Sequence, residues 1–188
     1  RQRQEELELQ AVWQNLVLQE IRSVAALTDS IAKEGIPFLL CQRPAMYRIP
    51  LRNTVENSYT PEAAAAYHYC QDHLPVAAAS LLVSQPSLEN GADPLQVNLG
   101  FILNAASLDR WEEELPSLCT LLPPAECLYT IVAGPDHVLN RRARFEPALQ
   151  WLRQNGRRLS GDVVTRMIAT FDAGGGMLRY DQAWLPVK

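Results

Sequence analysis

The chain has 188 residues, of which 47% are hydrophobic and 20% are charged, and its formal net charge is −4 at pH 7. This length suits one domain with an appendage and is enough to bury a single core. The negative balance gives the chain itself no electrostatic basis for binding nucleic acid. No apolar run approaches the roughly 20 residues that a membrane span needs, and no signal peptide is visible, so we expect a cytoplasmic protein without a membrane segment.

Cysteines and histidines show no spacing typical of a metal site or of a disulfide framework. Each cysteine lies in or beside an apolar run, so we expect buried free thiols, with disulfides as the alternative, at Cys41, Cys70, Cys119 and Cys127. His68 and His73 lie five residues apart without a matching set of cysteines or carboxylates, so no metal is predicted. Glycines 174–176 join two predicted strands instead of a strand and a helix, so no phosphate loop and no cofactor are predicted.

Residues 1–34 contain neither glycine nor proline and are rich in Gln, Glu, Leu and Arg, which predicts one long helix. A 4-3-4-3 spacing, typical of a coiled-coil seam, runs along it through Val17, Ile21, Val24, Thr28 and Ile31. We therefore expect a homodimer formed through this helix, and packing of the helix on its own domain is the alternative. Gly35 and Pro37 end the helix. Because the sequence opens within a charged helical pattern, we also expect a fragment whose N-terminal part has been removed.

From residue 36 onward the same order of elements occurs twice. The first half predicts a strand at 45–51, a helix capped by Thr60 with Pro61 at its first position, strands at 81–85 and 95–103, and a polar helical turn at 107–115. The second half predicts a strand at 126–132, a helical region at 137–155, and strands at 163–171 and 178–187. This duplication predicts an α+β domain at 36–188 in which two pseudo-symmetric strand-helix-strand-strand units form an antiparallel sheet, paired across the middle, with helices on one face.

Several motifs, most of them in the second half, resemble a known family. They are Leu122-Pro-Pro-Ala125 before the strand ending at Gly134-Pro135, the helix end Trp151-Leu152 to Asn155-Gly156, the closing Trp184-Leu-Pro-Val187, and Val97-Asn-Leu-Gly-Phe101 in the first half. These resemble GyrI-like effector-binding domains, which follow MerR-type and AraC-type DNA-binding heads. The helix at 1–34 resembles the linker through which MerR-type regulators dimerise in antiparallel fashion. The resemblance implies a MerR-type transcription regulator without its winged-helix head, the part that would contact DNA.

The same resemblance implies a ligand cleft between the two units. Family members often bind bulky, apolar, sometimes cationic compounds there, and in drug-sensing members a strand carboxylate neutralises the cation. The matching positions here are Thr165 and Met167, where the family often has Glu and Tyr, and Gln182, where some members have Glu. Because a desolvated cation needs a paired charge, this difference argues against a cationic effector and favours an uncharged one that is aromatic or apolar and drug-like.

Alternation along the last strand places Ala183 and Leu185 on one face and Gln182 and Trp184 on the other. If the aliphatic face packs on the helices, the other face lines the cleft; ordinary core packing is the alternative for Trp184. The predicted ligand-binding residues are Tyr67, Tyr69, Gln96, Asn98, Tyr129, Thr165, Met167, Tyr180, Gln182 and Trp184. The basic run at 141–144 is expected at the surface.

No catalytic grouping is evident, since Ser160-Gly161-Asp162 lacks the strand-to-helix turn of a nucleophile elbow. We therefore predict a ligand-sensing domain that is not an enzyme, whose small-molecule effector biases the geometry of a dimer. Two other functions stay open. A stand-alone GyrI-like hydrolase of reactive small molecules needs a pocket Glu paired with Tyr, and a protein-binding inhibitor module needs a cleft filled by side chains.

Overall fold

One antiparallel sheet of eight strands organises the fold; the computed structural model describes residues 2–53, 60–108, 114–172 and 174–188. The strands are β1 (Phe38–Arg43), β2 (Met46–Asn53), β3 (Ala78–Val83), β4 (Val97–Asn104), β5 (Thr120–Leu122), β6 (Ala125–Pro135), β7 (Val163–Asp172) and β8 (Met177–Pro186). The helices are α1 (Gln2–Glu34), α2 (Pro61–Asp72), α3 (Gln85–Glu89), α4 (Ala105–Leu108) and α5 (Glu146–Gln154). The predicted α+β class with a long N-terminal helix is confirmed.

Six of the eight strands form two three-stranded units that are joined at the middle of the sheet. β2, β3 and β4 belong with α2, and β6, β7 and β8 belong with α5; the order across the sheet is β1-β6-β8-β7-β3-β4-β2-β5. In each unit the last strand lies between the other two, and β3 pairs antiparallel with β7 at the junction. The predicted duplication and the predicted pairing across the middle are therefore confirmed.

The leading strand of each unit pairs with the first strand of the other unit. β1 pairs with β6 and β5 pairs with β2, and the two ladders keep one register: Arg43 faces Ala125, and three residues further along Met46 faces Leu122. Prolines in both connections interrupt the ladder because they have no amide hydrogen to donate. At this bend Nη2 of Arg43 donates to the carbonyl oxygen of Pro123 at 2.7 Å. The sequence patterns predict neither β1 nor β5.

Helices α2 and α5 pack on one face of the sheet and bury two cores. The side chain of Thr60 caps α2 as predicted, accepting a hydrogen bond from the amide of Ala63 at 3.2 Å. The core beneath α2 includes Ile49, Ala66, Cys70, Phe101 and Leu103. The core beneath α5 includes Leu128, Phe145, Leu149, Leu152 and Leu185.

Helix α1 crosses the opposite face of the sheet. Trp13 reaches the end of α2, where its ring contacts that of His73 edge-to-face with centroids 5.5 Å apart. In the middle of the helix, Glu20 forms an ion pair with Arg166 of β7. The helix thus packs on its own domain, which was the alternative that the sequence analysis left open. Dimerisation through this helix stays a prediction.

Several boundaries differ from the sequence predictions. Helix α1 ends as predicted, with Gly35 at a φ of +84° donating its amide to the carbonyl of Ile31. Strand β3 begins at Ala78, three residues before the predicted 81–85, and ends at Val83 because Ser84 caps α3, which the sequence did not indicate. The predicted turn at 107–115 lies largely outside the described residues, which omit 109–113.

Candidate functional site

Two neighbouring cavities lie between α1 and the sheet face opposite α2 and α5, here called the cleft face. The cleft cavity has a volume of about 160 Å³ and is lined by Glu20, Ser23, Pro44, Met46, Ile102, Leu103, Asn104, Arg166, Gln182 and Trp184. The hairpin groove has a volume of about 340 Å³ and is lined by Thr28, Ile31, Ala32, Ile168, Ala169, Phe171, Leu178 and Tyr180. The two cavities adjoin along β7 and β8. On each of these strands, a residue that lines one cavity is two positions, or about 7 Å, from a residue that lines the other.

The cleft face opens where β3 and β7 diverge. Their register pairs are Leu82 with Val164 and Val83 with Val163. One residue further, Oγ1 of Thr165 accepts the amide hydrogen of Leu81 at 3.1 Å, in the place of a backbone carbonyl. The cleft cavity is lined by residues of both units, Met46 and Ile102 from the first and Arg166 and Gln182 from the second. The resemblance implied a ligand cleft between the units, and binding of a ligand there stays a prediction.

Tyr129, Gln182 and Trp184 form one cluster on the cleft face. Nε2 of Gln182 donates to the hydroxyl oxygen of Tyr129 at 3.1 Å, and the rings of Tyr129 and Trp184 have centroids 5.7 Å apart. Burial raises the pKa of Tyr129, and the hydrogen bond from Gln182 acts in the opposite direction. The phenol therefore keeps its proton at neutral pH and can donate it to an acceptor. Binding of a ligand by these residues stays a prediction.

Arg166 and Glu20 are charged residues of the cleft cavity that the sequence patterns did not single out. Nη2 of Arg166 lies 2.5 Å from Oε2 of Glu20, and the two side chains are only 15% and 16% exposed. Arg166 is opposite Gln182 in the β7–β8 ladder, so both point to the cleft face. An arginine inside the apolar run at 163–171 was an available signal. No local pattern connects it with Glu20, which is 146 positions away.

Thr165 and Met167 do not lie on the cleft face, which corrects the sequence prediction. They are opposite Ala183 and Asp181 in the β7–β8 ladder, and these two residues are fully buried on the helix side of the sheet. Thr165 itself is fully buried. Successive residues of a strand alternate between the two faces of the sheet. The family-matched positions therefore point to the helix side, and Arg166, which lies between them, points to the cleft face.

The other predicted residues lie in different places. Tyr67 and Tyr69 are on α2, on the helix side: the ring of Tyr67 is tilted over Phe101, and Tyr69 packs against the core beneath α2. Gln96 precedes β4 and is exposed. Tyr180 lines the hairpin groove. The structure thus brings Tyr129, Gln182 and Trp184 together, with Tyr180 beside them.

Asn98 lies on β4 and holds a buried arginine that the sequence analysis did not single out. Nη1 of Arg48 donates to Oδ1 of Asn98 at 2.9 Å and Nη2 donates to its carbonyl oxygen at 2.7 Å. Arg48 is 2% exposed, and burial lowers its pKa to about 10. The side-chain oxygen of Asn98 therefore already accepts a hydrogen bond from Arg48 of β2.

None of the four cysteines lines the cleft cavity or the hairpin groove. All four are free thiols; Cys70 and Cys127 are buried, as predicted, whereas Cys41 and Cys119 are half-buried. Burial raises the pKa of Cys70 to about 12 and that of Cys127 to about 11. Across residues 2–53, 60–108, 114–172 and 174–188, no cluster of three or more His, Cys, Asp or Glu could hold a metal ion. Among the described helices, none is long and apolar enough to cross a membrane.

Comparisons with known proteins give similarity to solved structures alone, since no family model and no curated protein sequence matches the chain. A cryo-electron microscopy structure of EcmrR bound to DNA is 14% identical with a TM-score of 0.45, over 99% of this chain and 70% of that one. The crystal structure of the EcmrR C-terminal domain is 14% identical with a TM-score of 0.46, over 81% of this chain and 98% of that one.

Proposed function

We propose that this chain is the effector-binding domain of a cytoplasmic MerR-type transcription regulator, together with its dimerisation helix. The observation that carries the proposal is the cluster of Tyr129, Gln182 and Trp184 beside a cavity whose cover is α1. An aromatic, largely apolar small molecule suits this site, because two aromatic rings and one amide supply stacking area and a fixed hydrogen-bond donor.

Helix α1 is the element through which the cleft would report its occupancy. Glu20 and Ser23 line the cleft cavity, and Thr28 and Ile31 line the hairpin groove. A ligand that fills either cavity has different contacts with the docked and the displaced helix, and this difference is what shifts a conformational equilibrium. We propose that the helix also forms the homodimer, so that a shift changes dimer geometry, and that DNA contact belongs to a head outside this sequence.

The hydrolase alternative requires a pocket Glu paired with Tyr. The carboxylate that lines the cleft cavity, Glu20, is paired with Arg166, and the hydroxyl of Tyr129 is bonded to Gln182. Neither pairing generates a nucleophile or a general base. We propose ligand binding without turnover.

Native mass spectrometry of protein purified from cells tests the ligand-binding proposal. The unaltered chain should carry a small molecule, and Trp184→Ala should bind that molecule about tenfold more weakly, because a lost ring contact and its buried area together reach about 1.4 kcal/mol. The matched control is Trp151→Ala, since Trp151 stacks on Phe38 at 6.4 Å and does not line the cleft cavity. Retention of the molecule by Trp184→Ala, or its equal loss from both variants, would contradict the proposal.

A further inference from the structure

We propose that the effector is an aromatic carboxylic acid whose carboxylate binds Arg166 in the place now taken by Glu20. This inference rests on the proposed function and specifies the ligand class of the same cleft. Glu20 then competes with the ligand for Arg166. In the absence of a ligand, the Glu20 carboxylate on α1 pairs with Arg166, and the ligand carboxylate replaces it on binding.

The position of Arg166 gives the first argument. Its guanidinium contacts a carboxylate at 2.5 Å inside a cavity, with 15% of its side chain exposed. A partly buried arginine that loses its carboxylate keeps the cost of desolvation without the compensating attraction. Displacement of Glu20 is therefore favourable only when another anion replaces it. A planar carboxylate matches the guanidinium fork, which can donate two parallel hydrogen bonds to it.

The neighbours of Arg166 give the second argument. Gln182 and Arg166 face each other on adjacent strands, and the amide of Gln182 is oriented by its bond to Tyr129. The phenol of Tyr129 is protonated at neutral pH and can donate a hydrogen bond. Arginine and phenol are both donors to a carboxylate, whereas a cationic ligand in the place of Glu20 would meet the like charge of Arg166.

The hairpin groove gives the third argument. It begins two residues along β7 from Arg166, and its walls include Ile168, Phe171 and Tyr180. The rings of Phe171 and Tyr180 meet edge-to-face with centroids 5.7 Å apart. A volume of about 340 Å³ admits a two-ring aromatic body, while the cleft cavity, at about 160 Å³, admits its polar group. The pair of cavities thus matches an elongated molecule with one charged end.

The coupling to α1 follows from the same contact. Glu20 lies near the middle of a helix of 33 residues, and its ion pair ties that helix to β7. A ligand carboxylate at Arg166 breaks this tie and leaves the Glu20 carboxylate facing a second anion. The helix is then driven away from the cleft face, which is the change that the proposed function requires.

Calorimetry with three naphthalene probes tests the inference: 2-naphthoate, neutral 2-naphthamide and cationic 2-naphthylmethylamine, each added to the full chain. We expect the unaltered chain to prefer 2-naphthoate. Glu20→Gln should raise its affinity for 2-naphthoate about tenfold, the factor expected for one charge-assisted hydrogen bond, and should leave 2-naphthamide unchanged. Arg166→Gln should abolish the preference for the anion.

Matched controls use exposed residues of the same types. Glu8→Gln on α1 and Arg158→Gln after α5 should bind all three probes like the unaltered chain. Thermal melting confirms that each variant is folded. Equal affinity for the three probes, or no effect of Glu20→Gln, overturns the inference about the carboxylate. Neither result contradicts the proposed binding of an aromatic ligand. Failure of every probe to bind both the unaltered chain and Glu20→Gln overturns the inference and the proposed function together.

Discussion

Gly100 shows how one residue without a side chain makes room for a buried charge. Gly100 lies on β4, and its φ is not positive, so its backbone conformation is open to any residue. A Cβ at this position would collide with the carbonyl oxygen of Ile49 and approach Nη1 of Arg48 to 3.1 Å. The arginine crosses the strand at this point to reach Asn98. The glycine is therefore required by close approach of a neighbour.

Gly100→Ala should destabilise the fold by about 1–3 kcal/mol, because backbone and arginine must both move to admit one methyl group. Urea denaturation followed by circular dichroism measures the change. Gly175→Ala is the control, since an added Cβ there meets no atom within 4 Å. Equal stability of the two variants would show that the β2–β4 pair is more plastic than this packing implies.

Asp181 is another residue whose partners were not apparent from the sequence. It is fully buried and accepts hydrogen bonds from Nη2 of Arg144 at 2.6 Å and from Nη2 of Arg179 at 2.7 Å. The basic run at 141–144 was expected at the surface; Arg141 is exposed, as expected, but Arg144 is 5% exposed, which corrects the expectation at that residue. Two arginines on one carboxylate link the turn before α5 to β8.

Asp181→Asn should cost about 3–5 kcal/mol of unfolding free energy, because it leaves two buried guanidinium groups without a counter-charge. The control is Glu146→Gln, which removes an exposed carboxylate from its pairs with Arg142 and Arg153 and should cost no more than about 1 kcal/mol. Denaturant titrations of both variants against the unaltered chain give the values. A loss for Asp181→Asn no larger than that of the control would refute the assigned role.

Helix α1 presents apolar residues on two sides, which explains why its sequence favoured a coiled coil and its structure shows docking. Leu16 is 5% exposed and packs inward, and Val24 is half-buried. Leu18 and Ile21 are 47% and 54% exposed on the outer side. The predicted seam included Val24, whose position on the inner side makes it a poor probe of dimerisation. The outer side is the surface that remains for a second helix.

The double variant Leu18→Glu and Ile21→Glu should convert a homodimer into a folded monomer, because it would place like charges in the interface between helices. Both side chains are exposed in the single chain, so its own packing is undisturbed. Sedimentation at micromolar concentration measures the mass, with Ala26→Glu on the same helix as control. If the unaltered chain sediments as a monomer, the proposal of a homodimer is wrong.

Local chemistry made some elements predictable and left others hidden. Thr60 with Pro61 marked the start of α2, and Gly35 marked the end of α1, because caps and stops depend on neighbouring residues alone. The phase of β7 was wrong by one residue at Thr165, since alternation gives two faces but does not say which one meets the helices. The bulge between Met167 and Ala169 shifts that register again.

Across the whole molecule, the duplicated order of elements predicted the symmetric sheet, because a repeated unit buries its faces best against its own copy. It did not predict which strands exchange partners at the ends, since β1 and β5 are short and each finds its partner more than seventy residues away along the chain. The contact of α1 with β7 was hidden for the same reason. Long-range ion pairs such as that of Glu20 with Arg166 leave no periodic trace in a sequence.

The exchange of β1 and β5 makes each half of the domain depend on the other. Each half holds the edge strand that completes the other half. Separation of the halves would remove the partner of β6 as well as that of β2, and an unpaired strand edge is a site of aggregation. Neither half can therefore present a fully paired sheet on its own.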